Sequence, residues 1–203
     1  MTCAVVAVQG AFIEHERRLA ALGEEVFEIR QVSDLEKPFS HIVLPGGEST
    51  TQGKLLRELG LLVPLRDKIL EGVPVLGTCA GLILLAQAID GRGDLRCGGD
   101  APFGSNAKVE QLGTLPVTVM RNGYGRQSGS FKTSGFFAGK ESIPMTFIRA
   151  PRITQVNSSE AEMIAEVEGA PVAVRFRNQL GVAFHPELDD DPRLLEYFLS
   201  MQH

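Results

Sequence analysis

Cysteine is scarce in this sequence, and what there is does not pair. Cys3, Cys79 and Cys97 are odd in number, widely spaced and form no Cys-x-x-Cys. That pattern fits a reduced compartment and argues against a disulfide framework. Basic residues are also outnumbered: 20 Lys and Arg against 25 Asp and Glu leave a net charge of −5, so a broad nucleic-acid surface, which needs basic patches, is not expected. No apolar run reaches the ~20 residues of a membrane-spanning helix. The longest, Val73 to Ile89, is interrupted by Thr78, Cys79 and Gln87. The N-terminal segment has no basic n-region, its first basic side chain apart from His15 being Arg17, so a secretory signal is not expected and a cytoplasmic location is.

Two ligand classes lack their signatures. No His or Cys pair has zinc-ligand spacing, so neither a metal nor a cofactor is expected. The first strand ends in Gln9-Gly10-Ala11 instead of Gly-x-Gly-x-x-Gly. The stretch from Gly47 to Lys54 fails the Walker A register, with Glu48 where the first glycine belongs and Leu55 after the lysine. Nucleotide binding is therefore disfavoured.

What is present is the composition of a folded globular chain. Hydrophobic residues at 43% and charged residues at 22% of 203 predict one compact domain over 1–203, large enough to bury a core without metal or disulfide staples. Val5–Val8, Glu25–Ile29, His41–Leu44 and Pro74–Leu76 read as short strands. Between them, Phe12, His15, Leu19 and Leu22 recur at helical spacing up to Gly23. Leu55, Leu56, Leu59, Leu62 and Val63 form a second helix face, and Leu82–Ile89 reads as an apolar third helix. Strand and helix alternating in this way predict an α/β fold with a parallel sheet covered on both faces. From Gly91 to Gly113 the chain reads as a long loop. Leu115–Met120, Ile143–Ile148, Met163–Val167, Val172–Phe176 and Leu180–Phe184 read as added meandering strands. A last helix opens at Asp189-Asp190-Asp191-Pro192, three acids at its positive end, with Leu194, Leu195, Phe198 and Met201 as its buried stripe.

The strongest chemical signal is Gly77-Thr78-Cys79-Ala80-Gly81 between a strand and a helix. A Gly-x-nucleophile-x-Gly turn bends sharply and holds its central residue in a strained conformation above the sheet edge. The positive end of the following helix favours the thiolate, which is the nucleophilic form. The plainer alternative is an inert buried cysteine in a glycine-rich turn. A cysteine nucleophile needs a base, and the base an orienter. His185 follows Val182-Ala183-Phe184 at a strand's C-terminal end, where open α/β sheets place their sites. Pro186 restricts it to extended backbone, so Glu187, two residues on, can reach the imidazole. The alternative is a turn leading into the last helix. His15, on the apolar stripe of the first helix, reads as a packed or edge histidine. Pro45-Gly46-Gly47-Glu48-Ser49-Thr50 follows a strand, and its glycines allow close backbone approach to an oxyanion. Arg121 and Arg149 read as solvated turn residues that could, with Glu48, frame a zwitterionic substrate.

Together these pieces resemble the class I (triad) glutamine amidotransferases. Longer strings narrow the resemblance to the glutaminase subunits of pyridoxal 5′-phosphate synthases: Gln9-Gly10-Ala11, Pro45 to Thr51, Gly77 to Ile83, Arg121-Asn122 with Gly125-Arg126-Gln127, Phe147-Ile148-Arg149-Ala150-Pro151 and His185-Pro186-Glu187-Leu188. They run in order along nearly the whole chain. The resemblance implies a flavodoxin-like three-layer α/β/α domain and hydrolysis of L-glutamine to glutamate and ammonia. It implies a (β/α)8-barrel synthase partner in a large hetero-oligomer. It assigns Cys79 as nucleophile, His185 as base and Glu187 as orienter. It assigns Gly47, Glu48, Ser49, Arg121, Ile148 and Arg149 as glutamine contacts, and backbone at Gly47 and Ala80 as the oxyanion hole. One departure is a stretch from about Gly91 to Gly113, read as roughly fifteen residues longer than the family pattern. The rival expectations are the glutaminase of another synthase, such as that of imidazole-glycerol-phosphate synthesis, and a non-catalytic regulatory subunit on the same fold.

Overall fold

The computed structural model describes residues 1–90, 109–124, 129–139 and 142–202. The expected long loop therefore falls mostly outside the described residues, as do Cys97, the Gly125-Arg126-Gln127 string and His203.

Seven strands form the main sheet. In chain order they are β1 (Thr2–Val6), β2 (Glu25–Ile29), β3 (His41–Leu44), β4 (Val75–Thr78), β10 (Glu162–Val167), β11 (Ala170–Phe176) and β12 (Gln179–Val182). Their order across the sheet is β10-β11-β12-β4-β3-β1-β2. From β12 to β2 every pairing is parallel, while β11 and β10 add antiparallel at one edge. Strands β1, β3, β4 and β12 are almost wholly buried, as expected of a parallel sheet covered on both faces.

Four α-helices precede or cross over this core: α1 (Phe12–Ala21), α2 (Ser49–Glu58), α3 (Leu62–Leu70) and α4 (Ala80–Leu85), with α5 (Arg193–Leu199) closing the chain. The step from β1 to β2 runs in the opposite direction across the sheet from the step from β3 to β4. Right-handed crossovers then put α1 on one face and the α2–α3 pair on the other, giving three layers. A small sheet, β5 (Ala86–Ile89), β6 (Leu115–Met120) and β9 (Arg152–Val156), and a hairpin, β7 (Ser130–Phe136) with β8 (Ser142–Ile148), supply the remaining strands.

Several elements differ from the expectation. The first strand begins earlier, at Thr2, because it pairs from Thr2↔Glu25. The apolar stripe from Leu55 to Val63 belongs to two helices. Gly60, at φ +71°, ends α2 in a left-handed cap in which Gly60 N–H donates to Arg57 O (3.0 Å) and Leu61 N–H to Leu56 O (2.8 Å), the paired bonds of a Schellman motif. Helix α4 stops at Leu85, and Ala86–Ile89 becomes β5, parallel to β6. A short apolar run does not distinguish helix from strand, and here the partner strand decides. Strands β7 and β9 are additional to the expected ones, their apolar residues being interspersed with Ser, Thr, Lys and Gln. The last helix starts after Pro192, with Asp191 Oδ1 accepting from Arg193 N–H at 3.1 Å.

Candidate active site

In a doubly wound sheet, crossovers to opposite faces leave a crevice at the C-terminal ends of the strands where the winding reverses. That point lies between β1 and β3. The loops leaving them, Gln9-Gly10-Ala11 and Gly46-Gly47-Glu48-Ser49, line one side of a cleft of about 480 Å³. Ala11 N–H donates to Gly46 O at 2.9 Å, and Glu48 N–H to Gln9 Oε1 at 2.9 Å. A Cβ on Gly10 would sit 2.0 Å from Gly46 O, so the loops meet only because that position is glycine. Gln52, buried on α2, donates through Nε2 to Gln9 O (2.9 Å) and Pro45 O (3.1 Å), locking the two strand ends together.

The next strand end brings the nucleophile candidate. Cys79 stands at φ +49°, ψ −100° as the N-cap of α4. A non-glycine residue there costs on the order of 1–3 kcal/mol. The turn is held by Cys79 N–H donating to Val182 O at 2.9 Å, and its flanking glycines explain the tolerance. A Cβ on Gly81 would fall 2.0 Å from Leu44 O, and one on Gly77 2.8 Å from Gly81 O. The thiol is 6% exposed, faces the cleft, and its Sγ lies 3.9 Å from Ile148 O.

Register then supplies the base. Val182 of β12 pairs with Thr78 of β4, so the chain leaving β12 passes beside Cys79. His185 lines the cleft, and its Nδ1–H donates to Glu187 Oε1 at 2.7 Å. An ionised carboxylate only accepts, so the ring proton sits on Nδ1 and Nε2 is left for chemistry. Burial works against a charge on His185. The hydrogen bonds to Cys79 and Glu187 outweigh it, and its pKa is pushed up to about 10. Burial likewise opposes the charge on Glu187, but His15 and His185 beside it hold the carboxyl below its ordinary range.

Behind His185 lies a buttress that the sequence did not disclose. His185 N–H donates to Thr146 O at 2.8 Å, and Thr146 Oγ1 donates to Asp189 Oδ1 at 3.0 Å. Phe184, next to the base, meets Phe147 at 5.7 Å. Phe147 stacks on Phe131 of β7 at 4.6 Å, and Tyr124 closes the cluster. The hairpin β7–β8 thus clamps the base through aromatic packing.

The remaining predicted contacts also line the cleft. Glu48 caps α2, its oxygens accepting from Thr50 N–H (3.0 Å), Thr51 N–H (2.7 Å) and Thr51 Oγ1 (2.7 Å). Burial opposes the Glu48 charge, but the Thr51 and Thr50 donors prevail and hold it below the usual carboxylate range. Arg121 Nη2 reaches Glu48 Oε1 at 3.3 Å across the mouth. Ser49, Arg121, Ile148 and Arg149 stand around the opening, Arg149 at φ +44°. The backbone of Gly47 lines the cleft, and Ala80 opens α4 directly after the thiol, where the first helical N–H groups have no intrahelical acceptor. Among the described residues no group of three or more His, Cys, Asp or Glu side chains could hold a metal ion, and no helix is long and apolar enough to cross a membrane.

Sequence reasoning missed Gln9 and Gln52 as side-chain struts. His15 is packed and fully buried, in line with the expectation, but against Glu187 and Thr78, contacts that the sequence did not show. Its position on the apolar stripe of α1 was the one available signal.

Comparison with known proteins gives the chain's family. The model of the SNO glutamine amidotransferase family matches residues 5–203. The chain is 50% identical over 200 residues to the pyridoxal 5′-phosphate synthase subunit PdxT of Desulfitobacterium hafniense (strain DSM 10664 / DCB-2), covering 98% of this chain and 92% of that one. It is 51% identical over 201 residues to the subunit of the same name from Methanocorpusculum labreanum, covering 99% and 97%. A crystal structure described as a glutamine amidotransferase superposes with a TM-score of 0.85 at 39% identity, covering 98% of this chain and 97% of that one.

Proposed function

The chain belongs to the SNO glutamine amidotransferase family, and on that premise we propose how its own residues carry the reaction. It hydrolyses L-glutamine to L-glutamate and ammonia, and it is the glutaminase subunit of a pyridoxal 5′-phosphate synthase. The whole of 1–203 serves as one glutaminase domain. The observation that carries the reading is the series thiol, imidazole, carboxylate: Cys79 on a strained elbow, His185 beside it, and Glu187 bound to His185 at 2.7 Å.

In this reading Cys79, as thiolate, attacks the side-chain carboxamide carbon of glutamine. The oxyanion is met by the backbone N–H groups of Gly47 and Ala80, and losing one such donor typically costs about 10²–10³ in rate. His185 gives its Nε2 proton to the departing nitrogen, which leaves as ammonia. The same nitrogen then takes a proton from water, whose oxygen attacks the γ-glutamyl thioester and releases glutamate. Glu187 keeps the ring in the useful tautomer and stabilises the imidazolium without itself taking a proton. Glu48, Ser49, Arg121, Ile148 and Arg149 surround the opening that takes the amino-acid end of glutamine, Glu48 for the ammonium and an arginine for the carboxylate.

The ammonia acceptor is the synthase subunit, a (β/α)8 barrel that holds several copies of this chain in a hetero-oligomer in the cytoplasm. A glutamate-release assay with and without that subunit tests the reading, with Cys79→Ala as the control. Glutamate release by wild type that vanishes in Cys79→Ala is expected. Equal release by both would refute the assignment.

A further inference from the structure

Among the buried titratable side chains that the mechanism above does not use, one lies against the triad itself. His15 projects from α1 into the interior with no exposed surface. Its Nε2 lies 3.3 Å from Glu187 Oε2 and 3.1 Å from Thr78 Oγ1, the residue just before the nucleophile. The other carboxylate oxygen, Oε1, is the one bonded to His185. Glu187 therefore lies between two imidazoles, one per oxygen. We infer that His15 is a positioning residue for glutamine hydrolysis, its Nε2–H holding the inner oxygen of Glu187 so that the carboxylate fixes the ring of His185 against Cys79. The inference rests on the proposed roles of Cys79, His185 and Glu187.

The ring's surroundings select its tautomer. His15 Nδ1 has no hydrogen-bond partner. A proton there would be a buried, unanswered donor, whereas a bare nitrogen is only an unanswered acceptor. A proton on Nε2 points into the space shared by Glu187 Oε2 and Thr78 Oγ1. Glu187 Oε2 has no hydrogen-bond partner among the described residues, and what faces it is His15 Nε2, in ion-pair contact at 3.3 Å. Burial holds His15 below the ordinary histidine range, against the pull of Glu187, which keeps the ring neutral and the arrangement a dipole facing a carboxylate.

Packing alone does not explain a histidine here. A leucine would fill this closed site without leaving an unanswered ring nitrogen. What only the histidine supplies is a donor to the far side of Glu187. Without it, the buried carboxylate is free to rotate or to take up a proton. Either change weakens the bond to His185 Nδ1 in the step where the imidazolium forms. His15 does not line the cleft, so the defect belongs in turnover and not in glutamine binding.

The test compares His15→Leu, which keeps the bulk, with His15→Gln, whose Nε2 can reach the same oxygen. Each is assayed with the synthase subunit present, and kcat is normalised to the fraction of Cys79 that a glutamine-like electrophile labels. The expected result is a fall in kcat of about tenfold or more for His15→Leu with KM within about twofold, and substantial recovery in His15→Gln. Wild-type kcat in the leucine variant, or equal losses in both variants, overturns the inference. A second measurement needs no variant: nitrogen-15 histidine NMR of the wild-type chain is expected to show His15 neutral with its proton on Nε2, and a proton on Nδ1 overturns the inference as well. A wild-type protein that releases no glutamate would instead remove the glutaminase reading itself, a result distinguishable from both of these.

Discussion

Three side chains differ in what their loss should do, because they touch the reaction differently. Cys79→Ala removes the atom that bonds to substrate, so glutamate release should vanish while the thermal transition stays near wild type. Alkylation should mark Cys79 before Cys3, which is fully buried in β1 and whose thiol burial pushes up to about 12. Mass-spectrometric labelling of Cys3 ahead of Cys79 would contradict this. Glu187→Gln keeps an oxygen that can accept from His185 Nδ1 but loses the negative charge, so kcat should fall by less than in His185→Ala, with KM for glutamine nearly unchanged in both. Arg121 stands at the mouth, paired with Glu48 at 3.3 Å. Arg121→Ala should mainly raise KM, and steady-state kinetics separates the two patterns.

At the scale of elements, the elbow is a packing solution as much as a chemical one. Gly81 faces the backbone of β3, with Leu44 O only 2.0 Å from where a Cβ would stand, and Gly77 faces Gly81 itself. Backbone cannot step aside, so Gly81→Ala should destabilise the protein by about 1–3 kcal/mol or more, as overpacked sites do. Gly46 is a different case. Its Cβ would meet Cε1 of His185 at 2.5 Å, a side chain that can swing away. Gly46→Ala should therefore keep most of its stability in urea and lose activity because the base is displaced. Urea midpoints set beside glutaminase rates would show the contrast, and a Gly81→Ala variant as stable as wild type would be inconsistent with it.

The whole molecule carries a pH signature. His15 and His41 are buried, and burial lowers the pKa of each below the ordinary 6.5. The unfolded chain binds protons near pH 6.5 that the folded chain refuses, so stability should fall as pH drops from 7 toward 5, by up to about 1.4 kcal/mol per pH unit for each ring that stays neutral. His185 has the opposite sign: raised to about 10, its contribution is complete below pH 6.5 and is lost as pH climbs through 10. His41 donates to Met201 O at 3.1 Å and packs edge-on against Phe198, away from the cleft. His41→Gln should flatten the acid limb of a stability-against-pH curve, and an unchanged slope would exclude His41 as a contributor. Assembly sets a second global property. The Gln9-Gly10 and Gly46-Gly47 loops lie against each other along one side of the cleft and are glycine at their contact, where peptides can reorient at low steric cost. The isolated chain should therefore be a poor glutaminase that becomes active when the synthase docks and selects the competent loop arrangement. A hundredfold activation corresponds to ~2.7 kcal/mol of differential binding. Glutamate release titrated with synthase measures it, and a maximal rate without synthase would refute it.

The parallel core, the elbow at Cys79 and the pairing of His185 with Glu187 were all legible in the sequence, because each depends on spacing within a few residues. Buried strands announce themselves as short β-branched runs, a Gly-x-Cys-x-Gly turn permits few other conformations, and a residue before proline is extended enough to face its neighbour two positions on. What those local rules do not carry is which distant segments meet. The strand at Ala86–Ile89 depended on Leu115–Val119 coming alongside, and β7 became half of the aromatic clamp on Phe184 only once the hairpin had folded. His15 looked like any buried position on a helix stripe. Its contact with Glu187, 172 positions further along the chain, exists because α1 packs against the turn that follows β12. Such contacts are properties of the sheet order, and that order is decided by the summed burial of the whole core and not by any segment's own periodicity.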